Sequence, residues 1–210
     1  MPASHPPKTK PTPNFFSTYS VILPVTLQTA YRTLGTAAGH DRVCHLSKLC
    51  ASVELLEKDE VTLPVPDFPE GRRLGEVSVR TTSAIDGTIK STNDGSTANT
   101  GGSKILTRQH FVLQENVSLV FGLFKKTVNL VGTLTWDDSV LSSSTTEDDS
   151  PVEALYESFA DSGGISVWKL RTFDKVEEEP DKTRVTERIE GWAPALMRPI
   201  VQNVTTAEHQ

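Results

Sequence analysis

The apolar residues of the first fifty positions change from strand-like to helical spacing. The stretch NFFSTYSVIL, from Asn14 to Leu23, is rich in aromatic and β-branched residues and predicts a strand that Pro24 ends. The next apolar residues fall at i, i+3, i+4 and i+7, which predicts a short helix: Leu27, Ala30, Tyr31 and Leu34. The stretch AAGHDRVCHLSKL, residues 37–49, predicts a second short helix.

From Cys50 onward the spacing changes to two, which is typical of strands with one buried face. Short, turn-rich links separate the segments with this alternation. The alternating segments are residues 50–61, 71–85, 104–122, 125–141, 152–163, 164–176 and 183–193. The pattern predicts a meander of about six antiparallel strands. The polar stretches near 86–103 and 142–150 have turn composition and predict flexible insertions.

The end of the chain returns to helical spacing, with Met197, Ile200, Val201 and Val204 on one side. Pro194 suits the first turn of a helix, because its missing N–H costs nothing there. Pro199 is expected to bend the early turns. About 16 residues remain for this helix before Gln210, and it is the longest amphipathic element that the sequence offers.

Length and composition indicate a single domain. The chain has 210 residues, which fits one domain over 15–210 preceded by a proline-rich, disordered leader over 1–14. The formal net charge of −6 gives no basic footprint for nucleic acid. No apolar run approaches the roughly 18 residues of a membrane span, and no signal core is seen at the N-terminus, so we expect a soluble, cytoplasmic protein.

The sequence carries no motif for a metal, a cofactor or a known catalytic constellation. It has two cysteines, too few for a disulfide framework, and their spacing relative to the nearby histidines matches no zinc pattern. There is no nucleophile elbow, glycine-rich phosphate loop or H-E-x-x-H sequence. We therefore expect no metal and no cofactor.

The order of elements predicts a cavity. An antiparallel meander has one face to bury and one to expose, and the final helix is the element available to cover the buried face. Large sheets curl as they twist, and a helix laid across a curled sheet touches it unevenly. The space left between them is the kind of place where apolar ligands bind. The same pattern could also close into a filled core.

The order strand, two short helices, six strands and a final helix resembles the START/Bet v 1-like superfamily, the helix-grip group that includes polyketide cyclases and aromatases. The stretches that carry the resemblance are LPVTLQTAYRTL after the first strand, and ISVWKLRTF with TRVTERIEGWAPALMRPIV near the end. It implies an α+β fold in which a curved antiparallel sheet of six to seven strands grips a C-terminal helix. The gap between them would hold a lipid, sterol, polyketide or similar hydrophobic molecule.

Such a gap would be lined by apolar side chains from the sheet and the final helix. The candidates are Trp136, Trp168, Leu170, Phe111, Val185, Ile189, Met197 and Val201. Alternation along residues 165–173 puts Trp168 and Leu170 inside and the charged residues Lys169 and Arg171 in water. A tryptophan in a sheet can equally be ordinary core.

Three residues are candidates for acid–base chemistry: Glu187, Tyr156 and His110. Glu187 shares a strand face with Val185 and Ile189, so an interior face would place a carboxyl group in an apolar cleft, where it would need a partner. Alternatively, this face is partly wet or Glu187 pairs with an arginine from a neighbouring strand. His110 could face solvent instead.

Three functions remain open at this point. The first is a binding protein for a hydrophobic small molecule, and the second is a cyclase or dehydratase that uses the same cavity. The third is a domain without a cavity that acts through its surface. We favour the binding protein over the enzyme because the sequence carries no catalytic motif. The enzyme stays open, since a cyclase that works by shaping a pocket leaves no motif. The sequence leaves the ligand and the oligomeric state open.

Overall fold

A computed structural model describes residues 12–64, 74, 103–119, 124–142, 151–160 and 164–207 of the chain. The predicted strand over 71–85, apart from Leu74, and almost all of the leader and of the two polar insertions lie outside these residues. The described part forms an α+β fold, as predicted, with four helices and a large antiparallel sheet.

The elements follow one another in the predicted order. The strands are β1 (Phe15–Leu23), β2 (Cys50–Pro64), β3 (Ser103–Leu119), β4 (Phe124–Trp136), β5 (Val152–Ala160), β6 (Ile165–Val176) and β7 (Glu179–Trp192). The helices are α1 (Leu27–Leu34), α2 (Ala37–Leu46), the single turn α3 (Ser139–Ser142) and α4 (Arg198–Ala207).

All seven strands belong to one sheet, in the order β1-β7-β6-β5-β4-β3-β2, and every neighbouring pair is antiparallel. Strands β2 to β7 form the predicted meander, since each pairs with the next along the chain. Strand β1 returns beside β7, so β1 and β2 are the outermost of the strands that the structure describes. The sheet is not curled, so the predicted curvature around the C-terminal helix is not confirmed.

Register divides the sheet into two faces, because residues directly opposite on neighbouring strands point to the same side. Tyr19, Glu187 and Arg171 lie opposite one another on β1, β7 and β6. Helices α1, α2 and α4 pack on this side, which we call the helix face. Trp168 and Leu155 lie on the other side, which we call the opposite face.

Helix α1 closes one end of the helix face. Tyr31 is fully buried, and its ring makes an edge-to-face contact with Phe173 at 5.2 Å between centroids. Its hydroxyl accepts a hydrogen bond from the backbone N–H of Asp137 at 2.9 Å. The predicted stripe of α1 therefore faces the sheet, with Ala30 and Tyr31 at its centre.

Helix α4 packs near β1 and β7, at the other end of the helix face. Met197 and Val201 contact a buried cluster of Phe15, Ile189 and Ala193. The Phe15 ring lies directly over Gly191, where a Cβ atom would come within 2.0 Å of the ring. This close approach explains why glycine stands at that position of β7.

The final helix begins later than the sequence predicts. Residues 195–197 form turns, and α4 starts at Arg198, so Pro194 precedes the helix. Pro199 then occupies the first turn, where its missing N–H costs nothing, and the predicted bend stays a prediction. The described helix has 10 residues rather than about 16.

The opposite face is buried as well, although the alternation of polar and apolar residues predicted that one face would be exposed to water. It carries a cluster formed by Leu106, Leu155, Trp168 and Leu170, and Leu74 packs against it. Trp168 and Leu170 are buried as predicted, but on the side away from Val185 and Ile189. Because both faces are covered, polar alternation along one strand cannot show which face holds the helices.

Candidate functional site

A cavity of about 670 Å3 lies between the helix face of the sheet and α2. Its floor comes from side chains of β1, β3, β5, β6 and β7, and its roof from α2 and the link to β2. The volume falls within the range of ligand pockets in proteins. The walls combine apolar residues such as Val43, Leu46 and Leu113 with several charged groups.

Helix α2 places His40 and Cys44 over the floor, because residues four apart share one face of a helix. Nε2 of His40 lies 3.5 Å from Sγ of Cys44, and the imidazole ring is 4.7 Å from the ring of Phe111. Burial, followed by the charges of Arg171 and Lys169, lowers the pKa of His40 to about 4. At neutral pH His40 is therefore an uncharged imidazole.

The two thiols of the cavity are also uncharged. Cys44 and Cys50 are both free and partly buried. Burial raises the pKa of Cys44 to about 11, and burial with the nearby Glu115 raises that of Cys50. Since the thiolate is the nucleophilic form, neither cysteine is activated for covalent chemistry.

The floor holds a buried ion pair between neighbouring strands. Nε of Arg171 donates to Oε2 of Glu187 at 2.5 Å, and Nη1 of Arg171 donates to the Leu34 carbonyl at 2.7 Å. Only 2% of the Glu187 side chain is exposed. Burial alone would lower the pKa of Arg171, but the Glu187 charge and hydrogen bond raise it above its usual value. The pair is ionised and anchors α1 to the sheet.

Lys169 and Tyr156 face each other across β6 and β5. Nζ of Lys169 lies 5.4 Å from the centre of the Tyr156 ring, a cation–π distance. Burial raises the pKa of Tyr156, so its phenol stays protonated. Both side chains line the cavity.

The α2–β2 link borders the opening of the cavity. Leu46, the last residue of α2, lines the cavity although 79% of it is exposed. Ser47 and Lys48 follow it in the wall. A large apolar side chain is therefore exposed at the rim of the cavity.

Two of the three acid–base candidates lie in this cavity. Glu187 and Tyr156 line its floor, and Glu187 pairs with an arginine of a neighbouring strand, which was one of the two alternatives for it. His110 lies on the opposite face and is buried, so the alternative that it faces solvent is wrong. The sheet therefore separates His110 from the cavity.

The apolar candidates lie around the cavity rather than in its wall. Phe111 comes nearest, since its ring stacks on Tyr156 at 5.2 Å. The others are distributed among the clusters described above. Trp136 and Val185 pack with α1, Ile189, Met197 and Val201 pack with α4, and Trp168 and Leu170 lie on the opposite face.

Sequence reasoning missed most of the residues that line the cavity, and three of them matter for its chemistry. Lys169 and Arg171 were expected in water, yet both line the floor. They point there because the alternate residues, Trp168 and Leu170, are needed by the opposite face. His40 was missed as well, although its spacing from Cys44 already put both on one face of the predicted second helix.

The opposite face carries its own polar cluster. Nε of Arg108 donates to Oδ1 of Asp59 at 2.8 Å, and only 2% of the Arg108 side chain is exposed. Nε2 of His110 lies 3.3 Å from Oδ1 of Asp59, so the two side chains are neighbours in this cluster. Burial and the nearby Arg108 charge lower the pKa of His110.

No group of three or more His, Cys, Asp or Glu that could hold a metal ion occurs in the part of the chain that the structure describes. Within the same residues, no helix is both long and apolar enough to cross a membrane. No protein-family model matches the chain, and no curated protein is significantly similar to it.

Proposed function

We propose that the chain binds a hydrophobic small molecule in the cavity between α2 and the sheet. The observation that carries this proposal is the cavity itself, about 670 Å3 with apolar side chains in its wall. A space of this size holds a drug-sized or lipid-like molecule. A filled interior would instead be packed to crystal-like density, with few voids larger than a water molecule.

The chemistry of the wall supports binding rather than a reaction at a nucleophile. His40 and the two cysteines are neutral at pH 7, and Arg171 and Glu187 satisfy each other. A ligand that enters therefore replaces water against apolar surface without breaking the buried ion pair. Removing apolar surface from water is the main driving force for such binding.

The resemblance to the START/Bet v 1-like superfamily points the same way. The order of strands and helices fits the helix-grip arrangement, in which a sheet and a C-terminal helix enclose a ligand. No described residue of the last helix lines the cavity, so the binding space proposed here lies under α2 instead. Motion of α2 and of the link to β2 would release the ligand.

A cyclase or dehydratase is the second candidate, favoured by one observation. Tyr156 and Glu187 line the same cavity, so a phenol and a carboxylate both border a bound substrate. If the protein turns over a polyketide-like substrate, Glu187→Gln should lower kcat. An unchanged kcat would remove Glu187 from the chemistry.

The binding proposal is tested with protein purified under native conditions. We expect native mass spectrometry to show a co-purifying apolar molecule. We also expect a neutral fluorophore such as Nile red to bind with one-to-one stoichiometry. If the protein carries no such molecule and binds no neutral probe, the cavity does not serve a hydrophobic ligand, and a surface interaction becomes the better account.

A further inference from the structure

Lys169 brings a positive charge into the cavity. It lies on β6, directly opposite Tyr156 on β5 and Ile189 on β7, and its side chain lines the floor. Its charge reaches the roof, since it contributes to lowering the pKa of His40. The ammonium therefore faces the space that the proposed ligand would fill.

The charge of Lys169 is not neutralised within the part of the chain that the structure describes. No carboxylate oxygen in that part of the chain lies within ion-pair distance of Lys169 Nζ, which contacts the Tyr156 ring instead. Glu187, on the next strand, is held by Arg171. Glu115, the other acid of the wall, lies three strands away on β3.

A purely apolar ligand would leave this ammonium in a poor environment. Filling the cavity removes water from Lys169, and an ammonium that loses water without gaining an anion is penalised. The neutral groups nearby, Tyr156 and His40, cannot supply the missing negative charge. The ligand that suits the cavity best brings the anion with it.

We propose that the ligand is an amphipathic monocarboxylate. Its carboxylate would pair with Lys169 beside Tyr156, and its apolar body would extend against Val43, Leu46 and Leu113. This inference rests on the proposed binding function and adds the chemical class of the ligand.

A carboxylate fits better than a phosphate because Lys169 offers a single point charge at the floor, while Lys48, the other lysine of the described wall, follows Leu46 at the rim. Phosphate monoesters carry nearly two charges and are bound by arginine forks or several donors together. Among the described residues of the wall the one arginine is Arg171, which is already committed to Glu187 and Leu34. A single negative charge balances Lys169.

The test compares decanoate, decanol and decyl phosphate, which share an alkyl chain and differ in the head group. Affinities are measured by displacement of Nile red at pH 7.5 and constant ionic strength. We expect wild-type protein to bind decanoate at least about tenfold more tightly than decanol, which corresponds to about 1.4 kcal/mol. Decyl phosphate should bind no more tightly than decanoate.

Variants assign the preference to Lys169. Lys169→Met should favour decanoate over decanol by less than about twofold, while Lys169→Arg should keep the preference. Lys175→Met, on an exposed lysine of the same strand that does not line the cavity, serves as the matched control and should behave as wild type.

Each adverse outcome has a distinct meaning. Equal binding of decanoate and decanol by the wild type, or a preference that survives in Lys169→Met, overturns the inference and leaves the binding function standing. Tighter binding of decyl phosphate overturns the carboxylate assignment. Failure of all three molecules and of Nile red to bind contradicts the proposed function as well.

Discussion

The two faces of the sheet bury charged residues in different surroundings. On the opposite face, Arg108 pairs with Asp59 beside a packed apolar cluster that includes fully buried Leu155. On the helix face, Arg171 pairs with Glu187 at the floor of a cavity. In each pair one side chain is 2% exposed and its partner about 20% exposed.

The difference lies in which partner is the more deeply buried one. On the opposite face it is the arginine, and on the helix face it is the glutamate. Space next to the second pair lets water or a ligand reach the cation. The comparison indicates that the opposite face is built for stability, whereas the helix face leaves room for another molecule.

Leucine truncation on each face gives the largest expected effect. Leu155 is fully buried on the opposite face, so Leu155→Ala should lower the free energy of unfolding by about 4 kcal/mol. Leu113 borders the cavity and loses fewer contacts, so Leu113→Ala should cost about 2 kcal/mol. Urea denaturation measures both. Equal losses would contradict the difference in packing between the faces.

Removing the acid of each ion pair compares the two charge sites directly. Asp59→Asn removes the carboxylate that the deeply buried Arg108 pairs with and should cost about 3 kcal/mol of unfolding free energy. Glu187→Gln leaves Arg171 with its bond to Leu34 and access to the cavity, and should cost about 1 kcal/mol. Thermal unfolding at pH 7 measures the two losses. A larger loss for Glu187→Gln would reverse the proposed contrast.

A buried histidine on each side makes stability depend on pH. The pKa of His40 is about 4 in the folded protein, because of burial and of the Arg171 and Lys169 charges, and about 6.5 when unfolded. Below pH 6.5 the unfolded chain binds a proton that the folded protein does not bind. The contribution of His40 to the free energy of unfolding is therefore fully present above pH 6.5 and is lost as the pH falls.

His40 should account for about 2 kcal/mol of the stability lost between pH 7 and pH 5. Over that interval the His40→Gln variant should lose about 2 kcal/mol less unfolding free energy than the wild type. His110→Gln should also lose less, since burial and Arg108 lower the pKa of His110. Urea denaturation across the interval measures the change. A loss in both variants as large as that of the wild type would place these imidazoles in water.

The order and type of the elements followed from the spacing of apolar residues. Helical spacing identified the buried stripe of α1 around Tyr31, and period-two spacing identified the strands of the meander. These features depend on local geometry, which each short segment of sequence carries by itself. The antiparallel pairing of β3 with β4, and of β5, β6 and β7, followed because short links join these strands.

The location of the cavity could not be predicted from the spacing of apolar residues. Spacing divides a strand into two sets of side chains, but it does not tell which set meets the helices when both faces are covered. Lys169 and Arg171 were assigned to water for this reason, while they form the floor under α2. The cavity depends on how α2 lies over strands distant in sequence, such as β6, and no local pattern encodes that arrangement.

Filling the cavity tests the central claim most directly. Val43→Trp places an indole into the wall of the cavity, whereas Leu55→Trp places one at a partly exposed position on β2 outside it. We expect the first variant to lose Nile red binding at least tenfold and the second to bind as wild type, with both folded by circular dichroism. Unchanged binding in a folded Val43→Trp protein would show that the cavity is not where the apolar molecule binds.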